Sequence, residues 1–162
     1  MIQLAPHLAF LPRPSAQGAY LLLMWKAGSR HDPPHREGLF HFLEHTLFKG
    51  TRRHRSRDLF ARIEKYGGEL NAFTTKDKMA IEVRFPPFAL RSVLTILTEL
   101  ADEACFPDPE VEKEREVILE EMAMYEDIPE ESLLDHFEEQ VYRVGGLRHP
   151  IIGYAETVRS IS

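Results

Sequence analysis

Short apolar runs and helical periodicities alternate along the 162 residues of this chain. The continuous apolar run at residues 19–25, which a Gly-Ser pair closes soon afterwards, predicts a buried β-strand. Residues 69–75 and 79–85 predict two further strands, joined as a hairpin through a polar Lys-Asp-Lys turn. These strands are expected to form a mostly antiparallel sheet.

Helical patterns account for most of the remaining chain. The predicted helices cover residues 37–49, Ser56 to Gly67 with Ser56 as the N-cap, 89–103, 108–127 and 130–144. The buried face of the third is expected to contain Leu90, Leu94, Leu97 and Ala101, and that of the fourth Val111, Ile118, Met122 and Tyr125. We therefore predict an α+β fold, a mostly antiparallel sheet covered by several helices, in one domain over residues 1–162.

Composition narrows the class of protein. The chain is 43% hydrophobic and 28% charged, which argues against disorder and against coiled-coil or collagen-like sequences. The single cysteine, Cys105, excludes an intramolecular disulfide and fits a reducing compartment, so we predict a cytoplasmic protein. The longest apolar run is too short for a membrane span, and residues 1–6 lack the pattern of a secretory signal.

Charge is distributed unevenly along the chain. Residues 1–78 carry 13 basic and 7 acidic side chains, whereas residues 108–139 carry 14 acidic and 2 basic ones. The one basic cluster, at residues 52–57, has no interleaved aromatic residues, so we expect a solvated loop and no nucleic-acid binding.

The segment His41-Phe42-Leu43-Glu44-His45 carries the most informative chemistry. In a helix, residues i and i+4 lie on one face, so both imidazoles would point the same way with Glu44 beside them. Two imidazoles at this spacing suit zinc, and a neighbouring carboxylate can act as a base toward water. The alternative is a hydrogen-bonded pair of core histidines with an incidental glutamate.

A catalytic zinc site needs a third protein ligand. The acidic helix predicted at 108–127 is the obvious source, and Glu114 and Glu121 share one of its faces. From the pattern alone, Glu114, Glu120 and Glu121 remain equivalent candidates.

Three separated motifs together resemble one family. These motifs are His41-x-x-Glu44-His45, then Gly67-Gly68-x-x-Asn71-Ala72-x-Thr74, then Glu114-x-x-Val117-Ile118-x-x-Glu121. In this order they resemble the inverted-motif zinc metallopeptidases, the family of pitrilysin, insulysin and mitochondrial processing peptidase. The similarity covers nearly the whole chain and includes Phe48-Lys49-Gly50-Thr51 after the first motif.

This resemblance implies a catalytic site. It implies one zinc ion per chain, held by His41, His45 and Glu121, with Glu44 as the general base that activates a zinc-bound water. Glu114 corresponds to a second acidic residue that supports catalysis without being a primary ligand. The implied activity is that of a zinc-dependent endopeptidase.

The resemblance also implies a peptide substrate and a partner. Residues Asn71, Ala72, Phe73 and Thr74 correspond to an edge strand that pairs with an extended peptide, although Asn71 alone could be a turn residue. Members of the family close two similar domains around the substrate, so we expect the C-terminal part to be missing and a second peptidase-like domain or subunit, in a homo- or heterodimer, to complete the enzyme. The alternative function is a peptidase-fold binding or partner subunit without activity in isolation.

Overall fold

The computed structural model describes the backbone of residues 1–162 and every side chain except that of Glu131. Over these residues the strands are β1 (Ile2–Ala5), β2 (Leu8–Phe10), β3 (Ala19–Trp25), β4 (Glu69–Thr74) and β5 (Met79–Phe85). The helices are α1 (Leu39–Leu47), α2 (Ser56–Glu64), α3 (Leu90–Glu103), α4 (Asp108–Glu126), α5 (Pro129–Val141) and α6 (Ala155–Ser160). The predicted α+β class is confirmed.

A three-stranded antiparallel sheet forms the centre of the fold, in the order β3-β5-β4. Ile81 of β5 lies opposite Leu23 on one side and Ala72 on the other, so the predicted β4–β5 hairpin is confirmed. β4 therefore occupies an edge of the sheet, with no second strand paired to it among the described residues. The exposed hairpin of β1 and β2 was not predicted, because its two strands are too short to show a clear alternation.

Two hydrophobic clusters hold the helices in place. The larger one buries one face of the sheet against α2 and α3, through residues such as Leu59, Ile63, Ile81, Val83 and Ile96. The smaller one joins α1, α4 and the C-terminal segment through Phe42, Ile118, Met122, Val158 and Ile161. This second cluster sets the distance between α1 and α4, the two helices that carry the predicted metal ligands.

The predicted buried face of α3 was only partly right, since Leu97 is buried but Ala101 is exposed. Leu90 and Leu94 are each 46% exposed, while Val93, Ile96 and Leu100 are buried. Both stripes are apolar and both have helical spacing, so the local pattern could not choose between them. The packing of α3 against β5 and α2 determines which face of the helix is buried. The α4 stripe was right at Ile118 and Met122, whereas Tyr125 is 41% exposed.

Several helix boundaries differ from the prediction. α1 begins two residues later than expected because Gly38 has a φ of +97°, outside the helical region. A Cβ atom at Gly38 would lie 2.5 Å from the carbonyl oxygen of Ile152, so only glycine fits this contact. In α2, Ser56 is the first helical residue and Arg55 is the N-cap, so the predicted capping role of Ser56 was wrong.

Within the described chain, every helix is too short or too polar to cross a lipid bilayer.

Candidate metal centre

Helix α1 places His41 and His45 side by side, as their i, i+4 spacing predicts. The centroids of the two imidazole rings are 4.7 Å apart. The helix is anchored by Phe42, which is buried in the smaller hydrophobic cluster, and by Leu47, which is buried in the larger one. The histidines consequently project from a helix whose rotation is set by the core.

The third donor comes from α4. Glu121 Oε1 lies 3.8 Å from His41 Nε2, and Glu121 Oε2 lies 3.3 Å from His45 Nε2. The contact of Phe42 with Ile118 and Met122 in the smaller cluster brings the two helices to this distance. Both Nε2 atoms therefore face one carboxylate.

These three residues fit a metal ion. One donor atom from each of His41, His45 and Glu121 lies within 4.8 Å of the others, and they form the one such group in the described part of the chain. Two ligands that each lie about 2 Å from a tetrahedral zinc ion are about 3.3 Å apart. The observed separations of 3.3 and 3.8 Å are close to that value. The donor set of two imidazoles and a carboxylate is one that zinc accepts in catalytic sites.

The surroundings of the two histidines differ. Burial lowers the pKa of His41, and positive charge on His45 lowers it further. The hydrogen bond with Glu121 raises the pKa of His45 and lowers that of Glu121. His41 is consequently a neutral imidazole at neutral pH, the form that binds a metal. Its Nδ1 atom is buried and has no hydrogen-bond partner among the described residues.

An open cavity of about 370 Å³ adjoins this group. Its walls include a metal-ligand candidate, the predicted base, two residues of β4 and two apolar side chains, namely His41, Glu44, Phe73, Thr74, Tyr125 and Leu134. Glu44 thus lies on the cavity side of α1, where a bound substrate would meet it. The space is large enough for side chains of a peptide.

The structure also separates the three acidic candidates on α4. Glu114 is mostly buried, and its Oε2 atom lies 3.3 Å from His45 Nδ1, on the far side of the imidazole from Glu121. Glu120 is exposed and takes no part in the group. Glu114 and Glu121 share a face of α4, as predicted, and His45 lies between their carboxylates.

The predicted substrate-binding residues lie on edge strand β4. Phe73 and Thr74 line the cavity, and the hydroxyl of Thr74 donates to the carbonyl of Phe40 at 3.4 Å, which ties the strand to α1. Asn71 is exposed and Ala72 is half-buried further along the strand. Asn71 is paired with Glu82 within the sheet, so the alternative of a turn residue is wrong.

Sequence reasoning missed three residues that position these elements. Asp32 accepts hydrogen bonds from the backbone N–H groups of Gly38 (2.8 Å) and Phe40 (3.0 Å), and so caps the start of α1. Buried Arg115 donates to the carbonyls of Val158 and Ile161 and attaches α6 to α4.

The third missed residue is Lys49, whose Nζ atom lies 2.5 Å from Glu114 Oε1. Its position four residues after His45 was the available signal, since that spacing puts both residues on one side of the helix predicted over residues 37–49, although α1 ends at Leu47. Nothing comparable in the pattern marks Asp32 or Arg115.

Comparison with known proteins supplies the family. A sequence profile of the insulinase family, peptidase family M16, matches residues 8–154. The zinc protease YmxG of Bacillus subtilis is 34% identical over 83% of this chain and 33% of its own length. The beta subunit of human mitochondrial-processing peptidase is also 34% identical, over 84% of this chain and 28% of its own length.

The fold is shared with solved peptidases. The crystal structure of a protease from Helicobacter pylori superposes with a TM-score of 0.87 and 22% identity, over 91% of this chain and 36% of that one. The chain spans about a third of the length of the relatives it matches. The profile match covers most of the chain, and the chain belongs to the insulinase family of peptidases.

Proposed function

We propose that this chain is the zinc-binding catalytic part of an endopeptidase that hydrolyses extended peptides. The observation that carries the proposal is the convergence of His41, His45 and Glu121 beside a cavity whose wall contains Glu44. Family membership and the names of the relatives, two of which are a zinc protease and a processing peptidase, support the same reaction.

We assign one zinc ion per chain to His41, His45 and Glu121, since the described residues contain one group of this kind. When bound by these three residues, a zinc ion would polarise the scissile carbonyl and lower the pKa of a bound water to about 7. Glu44 takes a proton from the attacking water and passes it to the leaving amine. Glu114 keeps the ring of His45 in place.

Edge strand β4 is our proposed substrate platform. An extended peptide can add to a free strand edge through backbone hydrogen bonds, which hold any sequence in a cleavable conformation. The proposal is supported by the position of β4 at the sheet edge and by Phe73 and Thr74 in the cavity wall. Asn71 and Ala72 would extend the same pairing away from the site.

A second peptidase-like domain or subunit is part of the proposal. The relatives are about three times longer than this chain, and the human relative is named as a subunit of a processing peptidase. We accordingly infer that full activity needs a partner half, in a homo- or heterodimer. A cytoplasmic location remains a prediction from the single cysteine, Cys105.

The test combines zinc content with cleavage of a quenched fluorescent peptide. We expect one zinc ion per chain, and we expect Glu44→Gln to keep that zinc while its turnover falls by about 100- to 10,000-fold, because general-base catalysis is lost. Glu120→Gln is the matched control, since it makes the same chemical change at an exposed position on α4 and should leave both quantities unchanged.

Two results would contradict the proposal. Glu44→Gln with substantial turnover would exclude Glu44 as the base, and a wild-type chain without stoichiometric zinc would exclude the metal site. Stoichiometric zinc without cleavage, either alone or with a partner half, would favour the alternative of a peptidase-fold binding subunit.

A further inference from the structure

Lys49 and Glu114 form an ion pair beside the metal centre. Lys49 lies just after α1, and its Nζ atom is 2.5 Å from Glu114 Oε1. The two side chains are 23% and 12% exposed, so water screens their attraction far less than it screens a surface pair. Lys113 and Glu110, only a few residues away, form a surface pair in which the lysine is 67% exposed.

The second oxygen of Glu114 is directed at His45. Glu114 Oε2 lies 3.3 Å from His45 Nδ1, while His45 Nε2 lies 3.3 Å from Glu121. One carboxylate thus contacts an ammonium with one oxygen and an imidazole with the other. A carboxylate that contacts Nδ1 of a ligand histidine orients the ring so that its Nε2 atom points toward the metal position.

His41 has no equivalent support. Its Nδ1 atom is buried without a hydrogen-bond partner among the described residues. The orientation of the imidazole pair therefore depends on the contacts of His45, and those depend on where the Glu114 carboxylate is held.

We propose that Lys49 is a positioning residue of the metal centre: it holds Glu114 in the rotamer that fixes the orientation of the His45 ring. The proposal deepens the proposed function and rests on its metal site. Without the ammonium, one oxygen of a mostly buried carboxylate loses its partner, and the side chain gains by rotating toward water. His45 then loses the acceptor at Nδ1, and its Nε2 atom is no longer held toward the metal position.

The experiment compares Lys49→Met, Lys49→Arg and Lys113→Met. Methionine keeps much of the length of the lysine stem but removes the charge, whereas arginine restores a cation that can bind a carboxylate. Lys113→Met is the matched control, because it removes the same charge from a surface pair on the helix of Glu114. Two quantities are measured in each variant: the distance between the Glu114 carboxylate and His45 Nδ1 in a crystal structure of the zinc-free protein, and the zinc Kd by chelator competition.

For Lys49→Met we expect the Glu114 carboxylate to turn away from His45 Nδ1, beyond hydrogen-bond distance, and a zinc affinity about tenfold weaker, at the low end for supporting residues around metal ligands. We expect Lys49→Arg to restore the contact and most of the zinc affinity, and Lys113→Met to keep the contact and a zinc Kd within twofold of the wild type. A merely structural role for Lys49 would change the melting temperature without changing this contact.

The proposal is overturned if Lys49→Met keeps the contact between Glu114 and His45 Nδ1 and a zinc Kd within twofold of the wild type, or if Lys49→Arg is no better than Lys49→Met. If Lys49→Met does not fold, the proposal is tested by NMR of the wild-type protein instead. A through-hydrogen-bond coupling between Lys49 Nζ and the Glu114 carboxylate carbon supports the proposal, and a freely exchanging Lys49 ammonium overturns it.

The contact between Glu114 and His45 is measured without zinc, so this inference and the metal site can fail separately. A wild-type chain that binds no zinc removes the proposed function. A wild-type chain that binds zinc, together with an unchanged contact in Lys49→Met, removes only the role of Lys49.

Discussion

Two clusters in this molecule are built from histidine and glutamate, and they differ in what surrounds the carboxylate. In the first, Glu121 lies between the Nε2 atoms of His41 and His45. In the second, Glu99 of α3 accepts from the hydroxyl of Thr51, lies 2.6 Å from His54 Nδ1 and pairs with Arg62 at 3.5 Å. We call these the Glu121 cluster and the Glu99 cluster.

The difference between them is one of donors and charge. The Glu99 cluster has one imidazole, and the charge of its carboxylate is balanced by Arg62, a residue that cannot bind a metal. Its Glu99 side chain is 6% exposed, so the cluster serves to satisfy a buried charge. The Glu121 cluster offers three atoms that could hold a metal, and among the described residues no arginine forms an ion pair with Glu121. Residue types alone would not separate the two, whereas their neighbours do.

The largest expected effect separates the clusters by zinc binding. His45→Ala removes one of three protein ligands and should weaken zinc binding by at least about 100-fold, with loss of hydrolysis. His54→Ala makes the same change in the Glu99 cluster and should alter the zinc Kd by less than about threefold. Isothermal titration of the zinc-free proteins measures both. Equal losses in the two variants would show that the clusters are not functionally distinct, and unchanged zinc binding in His45→Ala would reject that ligand.

The next largest expected effect is a loss of stability when the Glu99 cluster is altered. Glu99→Gln leaves Arg62 without its buried counterion, so we expect the free energy of unfolding to fall by about 2–3 kcal/mol. This corresponds to a drop of roughly 4–12 °C in Tm for a chain of this size, with an unchanged zinc Kd. Thermal and denaturant unfolding provide the measurement.

Glu103→Gln is the matched control for this prediction. It lies one turn further along α3 and pairs with Arg53, which is 67% exposed, so it should change stability by less than about 1 kcal/mol. A loss in Glu99→Gln no greater than that in Glu103→Gln would show that the Glu99 cluster does not contribute to stability.

The smallest expected effect is on the pH dependence of the free energy of unfolding, which should have opposite signs for Asp32 and for Glu99. Asp32 caps α1, the helix of the Glu121 cluster, and burial raises its pKa from 3.8 to about 6. A raised pKa means that its contribution to stability is full below pH 4 and is lost as the pH rises through about 6. Because the group is partly exposed, we expect wild type to lose about 1–2 kcal/mol relative to Asp32→Asn over this range.

Glu99 should show the reverse dependence. Burial opposes its ionisation, but hydrogen bonds with Thr51 and His54 outweigh burial and lower its pKa below the ordinary 4.5. Its contribution to stability is then present above about pH 5 and is lost on acidification. Denaturant unfolding of wild type, Asp32→Asn and Glu99→Gln from pH 3 to pH 7 measures both slopes. Slopes of the same sign would contradict these assignments.

Local sequence patterns predicted the structure correctly where it depends on residues that are neighbours along the chain. β3 and the β4–β5 hairpin appear as predicted, since an apolar run of strand length and a polar turn are local signals. They failed for α3, where Leu90 and Leu94 looked like core residues and are exposed. They also gave no sign that Asp32 reaches six residues forward to cap α1.

The sequence by itself determined that His41 and His45 share a helix face, because helix geometry depends only on spacing along the chain. It also determined the family, since three motifs occur in the expected order. Spacing along the chain left three glutamates open and the family resemblance implied Glu121, but only the tertiary structure brings Glu121 to the histidines. It is separated from His45 by 75 residues, and its approach depends on Ile118 and Met122 packing against Phe42. The contact of Lys49 with Glu114 was decided in the same way, because it exists only once α1 and α4 are packed together.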